Sequence, residues 1–272
     1  MENTTDLDTF YCGPRQYSAA VIGRIEPAGA RRKKRLTLTG TGSARAPRAS
    51  LQTAWGKYTD DIIHVTIGEG LSELESDVFA GLRNVRSVYF PRTLQAIFSG
   101  AFSECGKLEQ ADLPDALRYI GPGAFQGCIS LAEVTFGSSL KNIQVDAFRG
   151  CKSLNRLAFP AAVTEIGEHA FADTGVKRIV LPDGLENLPK GCFSHCEKLQ
   201  EVTVGEGMSV VSDQVFNGCT ELETLDFRPA KVLYHIHDLA FLDCSSIKAV
   251  LCREDQAAML RRHFRPEILV IS

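Results

Sequence analysis

The sequence predicts an α/β solenoid: eight repeats of roughly 22–25 residues stacked in a right-handed coil, with a parallel β-sheet on one face and short helical or 3₁₀ turns on the other. Three observations predict this fold class. A phenylalanine recurs at a nearly constant interval, other apolar positions recur in step with it, and a short apolar–polar alternation follows in each unit. The right hand follows from the rule for parallel crossover connections.

The recurring phenylalanine defines the repeat. The eight positions are Phe79, Phe102, Phe125, Phe148, Phe171, Phe193, Phe216 and Phe241, and their successive numbers differ by 23, 23, 23, 23, 22, 23 and 25. An aliphatic residue usually lies five positions before the phenylalanine, a cysteine three after it and an aliphatic residue six after it. One unit alone would expose these side chains to water, so we expect stacking to bury them as continuous columns.

Each unit contains two extended pieces and one compact turn. Residues 131–136, Leu-Ala-Glu-Val-Thr-Phe, alternate apolar and polar side chains, which is typical of a half-buried strand. The segment around Phe125 is too short for an independent helix, because helices under about 12 residues are marginal alone. We therefore predict a single helical or 3₁₀ turn there, closed by Gly127.

Residues 121–136, Gly-Pro-Gly-Ala-Phe-Gln-Gly-Cys-Ile-Ser-Leu-Ala-Glu-Val-Thr-Phe, resemble the BspA-like leucine-rich repeat. The unit of that family reads roughly I-G-x-x-A-F-x-G-C-x-x-L-x-x-V-x-x-P, and the resemblance covers most of the chain, from residue 62 to residue 252. It implies a leucine-rich-repeat horseshoe and an adhesin-like role, in which a surface or secreted protein contacts other proteins. The fifth unit departs from the pattern, because it is one residue short and has Thr174 in the cysteine position.

The chain divides into four parts. They are an N-terminal extension that is partly disordered or a hairpin (1–35), an N-terminal cap (36–61), the repeat array (62–252) and a C-terminal cap of a helix plus a strand (253–272). Both ends of a solenoid need a cover, because a terminal repeat otherwise exposes its core face. Trp55 is expected to cover the first unit. At the other end Ala257, Leu260 and Phe264, at helical spacing, predict the helix of the second cap.

Charge and hydropathy limit the partners. The first 50 residues carry nine Lys and Arg against four Asp and Glu, although the whole chain has a net charge of −3. The basic run 31–35 is predicted to be a solvated hairpin turn and not a nucleic-acid patch, since no aromatic or further basic residues support it. No stretch approaches the roughly 18 apolar residues of a membrane span. The first thirty residues lack a secretory signal, so we expect a cytoplasmic chain as given, or a secreted or surface protein if a signal was removed.

We expect neither an enzyme nor a cofactor or metal site. The sequence has no phosphate-binding glycine loop, zinc-protease helix or nucleophile elbow, and residues 1–60 are too short to supply a catalytic domain. Cys192 and Cys196 flank a histidine, but Cys196 belongs to the cysteine column, so a packed role is predicted. His235 and His237 lack a third ligand. The cysteine column is expected to be reduced, because repeat symmetry keeps its Cβ vectors parallel and about 5 Å apart.

Outward positions on the predicted sheet are the candidate partner-binding residues. They are Tyr89, Asp112, Glu133, Arg156, Lys177, Arg178, Glu201 and Asp226. Their charges form bands along the sheet: acidic, then basic, then acidic. One interpretation is cross-strand ion pairing of Glu133 with Arg156 and of Arg178 with Glu201, which contributes only about 0–1 kcal/mol. The other is a partner-binding band.

The predicted function is non-catalytic recognition of another protein through the sheet face, by a chain expected to be monomeric. The alternative is an intracellular regulator or effector that uses the same repeat surface. An enzyme in which the repeats serve only as a scaffold is disfavoured by the missing catalytic groups.

Overall fold

The computed structural model describes residues 8–12, 21–29, 33–45 and 55–272. Over these ranges the chain is a parallel β-solenoid of about nine turns with little helix. The parallel stacking predicted from the repeat is confirmed. The strands at residues 34–39 and 42–44 pair in parallel with those at 62–67 and 71–74, and so add one turn to the predicted eight. The right hand of the coil and its horseshoe curvature stay predictions.

Two ladders of parallel strands run along the stack. The first ladder holds the strands that follow each turn: β5 (Ile62–Ile67), β7 (Ser87–Tyr89), β9 (Gln110–Asp112), β11 (Glu133–Thr135), β14 (Arg178–Val180), β16 (Glu201–Thr203), β18 (Thr224–Asp226) and β20 (Ala249–Cys252). The second ladder holds the shorter strands: β6 (Leu71–Leu74), β8 (Ala96–Ile97), β10 (Tyr119–Ile120), β12 (Asn142–Ile143), β13 (Glu165–Ile166), β15 (Asn187–Leu188), β17 (Val210–Val211) and β19 (His235–Ile236). In the first ladder a buried central residue lies between two more exposed neighbours, as the alternation predicts.

The N-terminal strands extend both ladders. They are β1 (Asp8–Tyr11), β2 (Ile22–Pro27), β3 (Lys34–Thr39) and β4 (Gly42–Ala44). Strand β2 is antiparallel to its two neighbours β1 and β3, β3 pairs in parallel with β5, and β4 pairs in parallel with β6. A 3₁₀ helix follows at Gly56–Tyr58. Residues 1–7, 13–20 and 30–32 of the predicted extension, and 46–54 of the predicted cap, lie outside the described residues.

The helical or 3₁₀ turn predicted around each phenylalanine is not confirmed, because residues 62–252, all of them described, contain no helix. The chain instead takes a left-handed backbone conformation on each side of the ring, as at Asp146 (φ 56°) and Gly150 (φ 75°). The amides of this turn point along the stack. Phe148 N donates to Ala170 O of the next repeat at 2.8 Å. Each turn is therefore tied to the next by backbone hydrogen bonds.

The phenylalanines form one column through the core. Seven of the eight are buried and Phe241 is half-buried, which confirms the prediction that stacking covers them. Neighbouring rings of the column stack with centroids 5.1–5.9 Å apart. The ring of Trp55 continues the column beyond Phe79 at 6.2 Å, and Phe264 covers the other end, 5.0 Å from Phe241.

The cysteines form a second column beside the rings. Each Sγ donates to the carbonyl oxygen of the phenylalanine one repeat earlier, at 3.0–3.3 Å. The residues are Cys105, Cys128, Cys151, Cys196, Cys219 and Cys244. In the short repeat Thr174 takes this place, and its Oγ1 donates to Phe171 O at 2.9 Å.

The C-terminal end is closed by α1 (Glu254–Leu260), a 3₁₀ helix (Pro266–Ile268) and β21 (Leu269–Ile271). Ala257 and Leu260 of α1 are buried, and β21 pairs in parallel with β20. The buried amide of Gln256 donates to the carbonyl oxygens of Phe227 and Ala230, both at 2.9 Å, which ties the helix to the array. Within the described chain, α1 is too short to cross a membrane, and so is every other helix.

Candidate functional site

The predicted partner-binding residues lie on the outward side of the first ladder. Six of them are exposed, and Glu201 and Asp226 are half-buried. Arg156, Lys177 and Arg178 come together around one groove, whereas the other five are spread along the neighbouring strands.

Only one of the two predicted cross-strand ion pairs is seen. Arg178 Nη2 lies 3.1 Å from Glu201 Oε1 on the adjacent strand. Glu133 and Arg156 share an isolated backbone bridge, but their side chains form no ion pair in the part of the chain that the structure describes. Asp226 is held in its own loop by two hydrogen bonds from the Arg228 guanidinium, which lower the pKa of its carboxyl.

Both ladders are interrupted at the fifth repeat. The second ladder stops at β13 and restarts at β15, and the first stops after β11 and restarts at β14. The strand pairing of the first ladder is also broken between β7 and β9, but there the backbone hydrogen bond from Glu109 to Arg86 remains, at 3.2 Å. Elsewhere an amide of the first ladder reaches the carbonyl one repeat earlier, as from Ala132 to Glu109 (2.9 Å) and from Gln200 to Lys177 (2.8 Å). Among the described residues, no backbone hydrogen bond links Lys177 to Asn155, where the equivalent one would lie. The sheet face is open at this point.

The missing residue of the fifth repeat explains the interruption. Gly175 is buried against the preceding repeat, and a Cβ at this position would clash with the carbonyl oxygen of Lys152. The turns remain stacked, with the rings of Phe148 and Phe171 5.3 Å apart and within 3° of parallel. Because the turn side is closed and the strand side is open, a groove of about 940 Å³ forms between the two parts of the first ladder.

Five exposed cations line this groove. They are Lys152, Arg156, Lys177, Arg178 and Lys198. Within the described ranges only Arg178 has an ion-pair partner. The prediction from strand positions missed Lys152 and Lys198, because they lie in the loops that precede the strands. The signal that marks the site is the one shortened interval in the phenylalanine spacing, between Phe171 and Phe193.

The residue clusters suspected of metal binding do not converge. In the ranges covered by the structure, no group of three His, Cys, Asp or Glu side chains could hold a metal ion. Cys192 and Cys196 are buried, whereas His195 is exposed in a left-handed turn position. The rings of His235 and His237 are 6.4 Å apart. The groove itself presents the positive charges of its five cations, which suits an anionic partner.

These features define a class of protein, a leucine-rich-repeat scaffold with a surface groove. The chain belongs to the family of the BspA type leucine-rich repeat region, six copies of which match residues 57–175 and 164–265. Repeats of this family are typically non-catalytic scaffolds with protein-interaction or adhesin-like roles. No curated protein matches the sequence.

Several solved structures are similar to this chain. The leucine-rich repeat protein of T. pallidum is 22% identical, covers 77% of this chain and 90% of its own, and gives a TM-score of 0.45. The pneumococcal vaccine antigen PcpA is 15% identical, with coverages of 93% and 97% and a TM-score of 0.44. A leucine-rich cell surface protein from Faecalibacterium prausnitzii A2-165 is 17% identical, with coverages of 85% and 93% and a TM-score of 0.36. None of these likenesses bears on the partner of this chain.

The interruption predicts rapid amide exchange at the groove. Residues 177–181 lack the backbone bonds to the preceding repeat that the equivalent segment 200–204 has, although Leu181 N still donates to Thr203 O of the next repeat at 2.9 Å. The amides of 177–181 that face the preceding repeat should therefore exchange at least about tenfold faster than their counterparts in 200–204. Hydrogen–deuterium exchange with mass spectrometry compares the two segments in one sample. Equal protection would show that the first ladder is continuous in solution.

Proposed function

We propose that this protein is a non-catalytic recognition module that binds another protein at the basic groove. The observation that carries the proposal is the convergence of five cations from three consecutive repeats, four of them without a carboxylate partner among the described residues. Like charges that line one groove repel one another in the free protein. A complementary negative surface removes that repulsion and directs the encounter.

Membership of a family of interaction scaffolds supports the proposal. An extended solenoid sheet also offers a large surface on which a partner can lie. The finer proposal is an adhesin-like role, which rests on the family alone. It makes the partner a surface protein of another cell, so the binding experiment uses a membrane-protein extract of candidate host cells beside an extract of the source cells.

Reversing two groove charges should weaken binding strongly and leave the fold intact. In Arg156→Glu/Arg178→Glu the partner would meet two repelling carboxylates, so its recovery on the immobilised protein should fall at least about tenfold. Both side chains are exposed, so the melting temperature should change by no more than about 2 °C. Quantitative mass spectrometry of the captured proteins and a thermal unfolding curve give the two measurements.

The matched control is Arg83→Glu/Arg118→Glu, which changes the net charge equally at two exposed arginines away from the groove. Its captured proteins should match those of the wild type. If the groove variant and the control lose the same proteins, or if neither loses any, the groove is not the binding site. Partners drawn only from the source-cell extract would count against the adhesin-like role.

A further inference from the structure

The backbone on the two sides of the groove is open to a third strand. On one side, β14 begins the sheet β14-β16-β18-β20-β21 as its edge strand. On the other side, residues 155–158 are held to β11 by a single isolated bridge. In the described chain, these two facing segments exchange no backbone hydrogen bond. An extended segment placed between them would meet amides and carbonyls on both sides, which is how a sheet accepts an added strand.

Side chains along the groove alternate as they do within a sheet. Leu157 and Ile179 are buried, at 7% and 1% exposure, whereas the preceding residues Arg156 and Arg178 are exposed. Gly175 lines the groove without a side chain. An added strand directs alternate side chains inward and outward. Its inward positions would contact Leu157 and Gly175, which suits apolar residues, and its outward positions would lie among the cations.

Charge selects the outward residues of the added strand. The chain as a whole has a net charge of −3, whereas the groove lining is positively charged. Arg156, Lys177 and Arg178 are exposed on the two extended segments that border the opening. Carboxylates at alternate positions of an extended segment, about 6.6 Å apart, would pass these cations in turn.

From these three observations we propose that the groove binds an extended acidic segment of a partner protein as an added β-strand, with carboxylates outward and apolar side chains inward. The inference rests on the proposed function and specifies the chemistry of its partner. This binding mode differs from a purely electrostatic one, in which an anionic chain such as a sulfated polysaccharide would contact the cations without forming hydrogen bonds to the protein backbone.

The test uses a synthetic probe, a fluorescein-labelled heptapeptide Glu-Val-Glu-Val-Glu-Val-Glu with blocked ends, titrated with the full chain by fluorescence anisotropy. Two peptides of the same charge are compared with it. In one, the four glutamates precede the three valines. In the other, the valine amides are methylated, which removes the hydrogen-bond donors from one edge of the strand. A heparin fragment competes in a separate arm.

The expected result is binding of the alternating peptide, at least about tenfold weaker binding of both comparison peptides, and loss of binding in Arg156→Glu/Arg178→Glu but not in Arg83→Glu/Arg118→Glu. Equal binding of the three peptides would overturn the added-strand mode. Displacement by heparin at lower concentration than by the unlabelled peptide would assign the groove to polyanions instead. Absence of binding by the alternating peptide would also overturn the proposal.

Failure of this inference is distinguishable from failure of the proposed function. If captured proteins depend on Arg156 and Arg178 but the alternating peptide does not bind, the recognition role stands and the partner is not an acidic strand. If neither the captured proteins nor the peptide depends on these arginines, both proposals are wrong.

Discussion

Replacing Phe148 by alanine should lower the free energy of unfolding by about 3–5 kcal/mol. The ring is fully buried and lies between Phe125 and Phe171, with centroids 5.1 Å and 5.3 Å away. Phe136 meets it edge-on at 5.7 Å. The alanine would leave a cavity in the middle of the column, and the hydrogen-bonded turns on both sides limit how far the chain can collapse into it.

Urea unfolding followed by circular dichroism and by tyrosine fluorescence measures the effect, and agreement of the two probes tests whether the transition is two-state. Val145→Ala is the matched control, because this side chain lies in the same turn and is 40% exposed. It should change stability by no more than about 0.5 kcal/mol. A loss below about 1 kcal/mol for Phe148→Ala would show that the column is not tightly packed in solution.

The core columns could be predicted because the repeat supplies each side chain with a copy of itself as its neighbour. Knowing that Phe125, Phe148 and Phe171 share one position was enough to predict that their rings stack and are buried. The same reasoning placed the strands, since the alternation after each phenylalanine leaves one face for the core. Neither prediction needed the conformation of the turn.

The conformation of the turn could not be obtained from periodicity. The turn conformation depends on the residues two positions before and two positions after each ring. Around Phe148 these are Asp146 and Gly150, and both adopt a left-handed backbone conformation. Stacking adds a further condition, because a side chain in one repeat can occupy the space of a Cβ in the next. A Cβ on Gly100 would meet the carboxylate of Asp77, so a larger residue there would require the Asp77 side chain to turn away.

The groove shows the other limit of the repeat argument. The shortened interval between Phe171 and Phe193 reveals that a residue is missing, but not where the chain takes up the difference. In the structure it is taken up at Gly175, beside the carbonyl of Lys152, and this choice separates the strands of both ladders while the turns remain joined. The site therefore depends on contacts between repeats, which a repeat consensus averages out.

The buried cysteines lead to the second large effect, a steep loss of stability above about pH 8.5. Eight thiols are buried, and six of them lie inside the repeat array: Cys105, Cys128, Cys151, Cys192, Cys196 and Cys219; the other two, Cys12 and Cys252, lie near its ends. Burial raises the pKa of each of the six, to about 12 for Cys105 and about 11 for Cys196. A thiolate formed at any of these positions would lose hydration, and a thiolate of the cysteine column could also no longer donate to the carbonyl oxygen one repeat away.

The sign follows from proton linkage. In the unfolded chain a cysteine has a pKa of about 8.5, so above this pH the unfolded state has released protons that the folded state still binds. Stability is therefore complete below about pH 8.5 and falls as the pH rises toward the raised pKa values. Each thiol contributes about 1.4 kcal/mol per pH unit, and the six together about 8 kcal/mol per pH unit.

Urea midpoints at pH 8.0, 9.0 and 9.5, measured with a phosphine reductant, should therefore fall steeply, and the chain should unfold without urea near pH 10–11. Alkylation in denaturant at pH 8 should first show nine free thiols, the number in the sequence. The control is Cys128→Ala, which removes one buried thiol and should reduce the slope by about 1.4 kcal/mol per pH unit. If the slope of unfolding free energy against pH is unchanged in this variant, the loss of stability at alkaline pH comes from lysine or tyrosine ionisation. If stability is constant up to pH 10, the thiols are not buried as protonated groups.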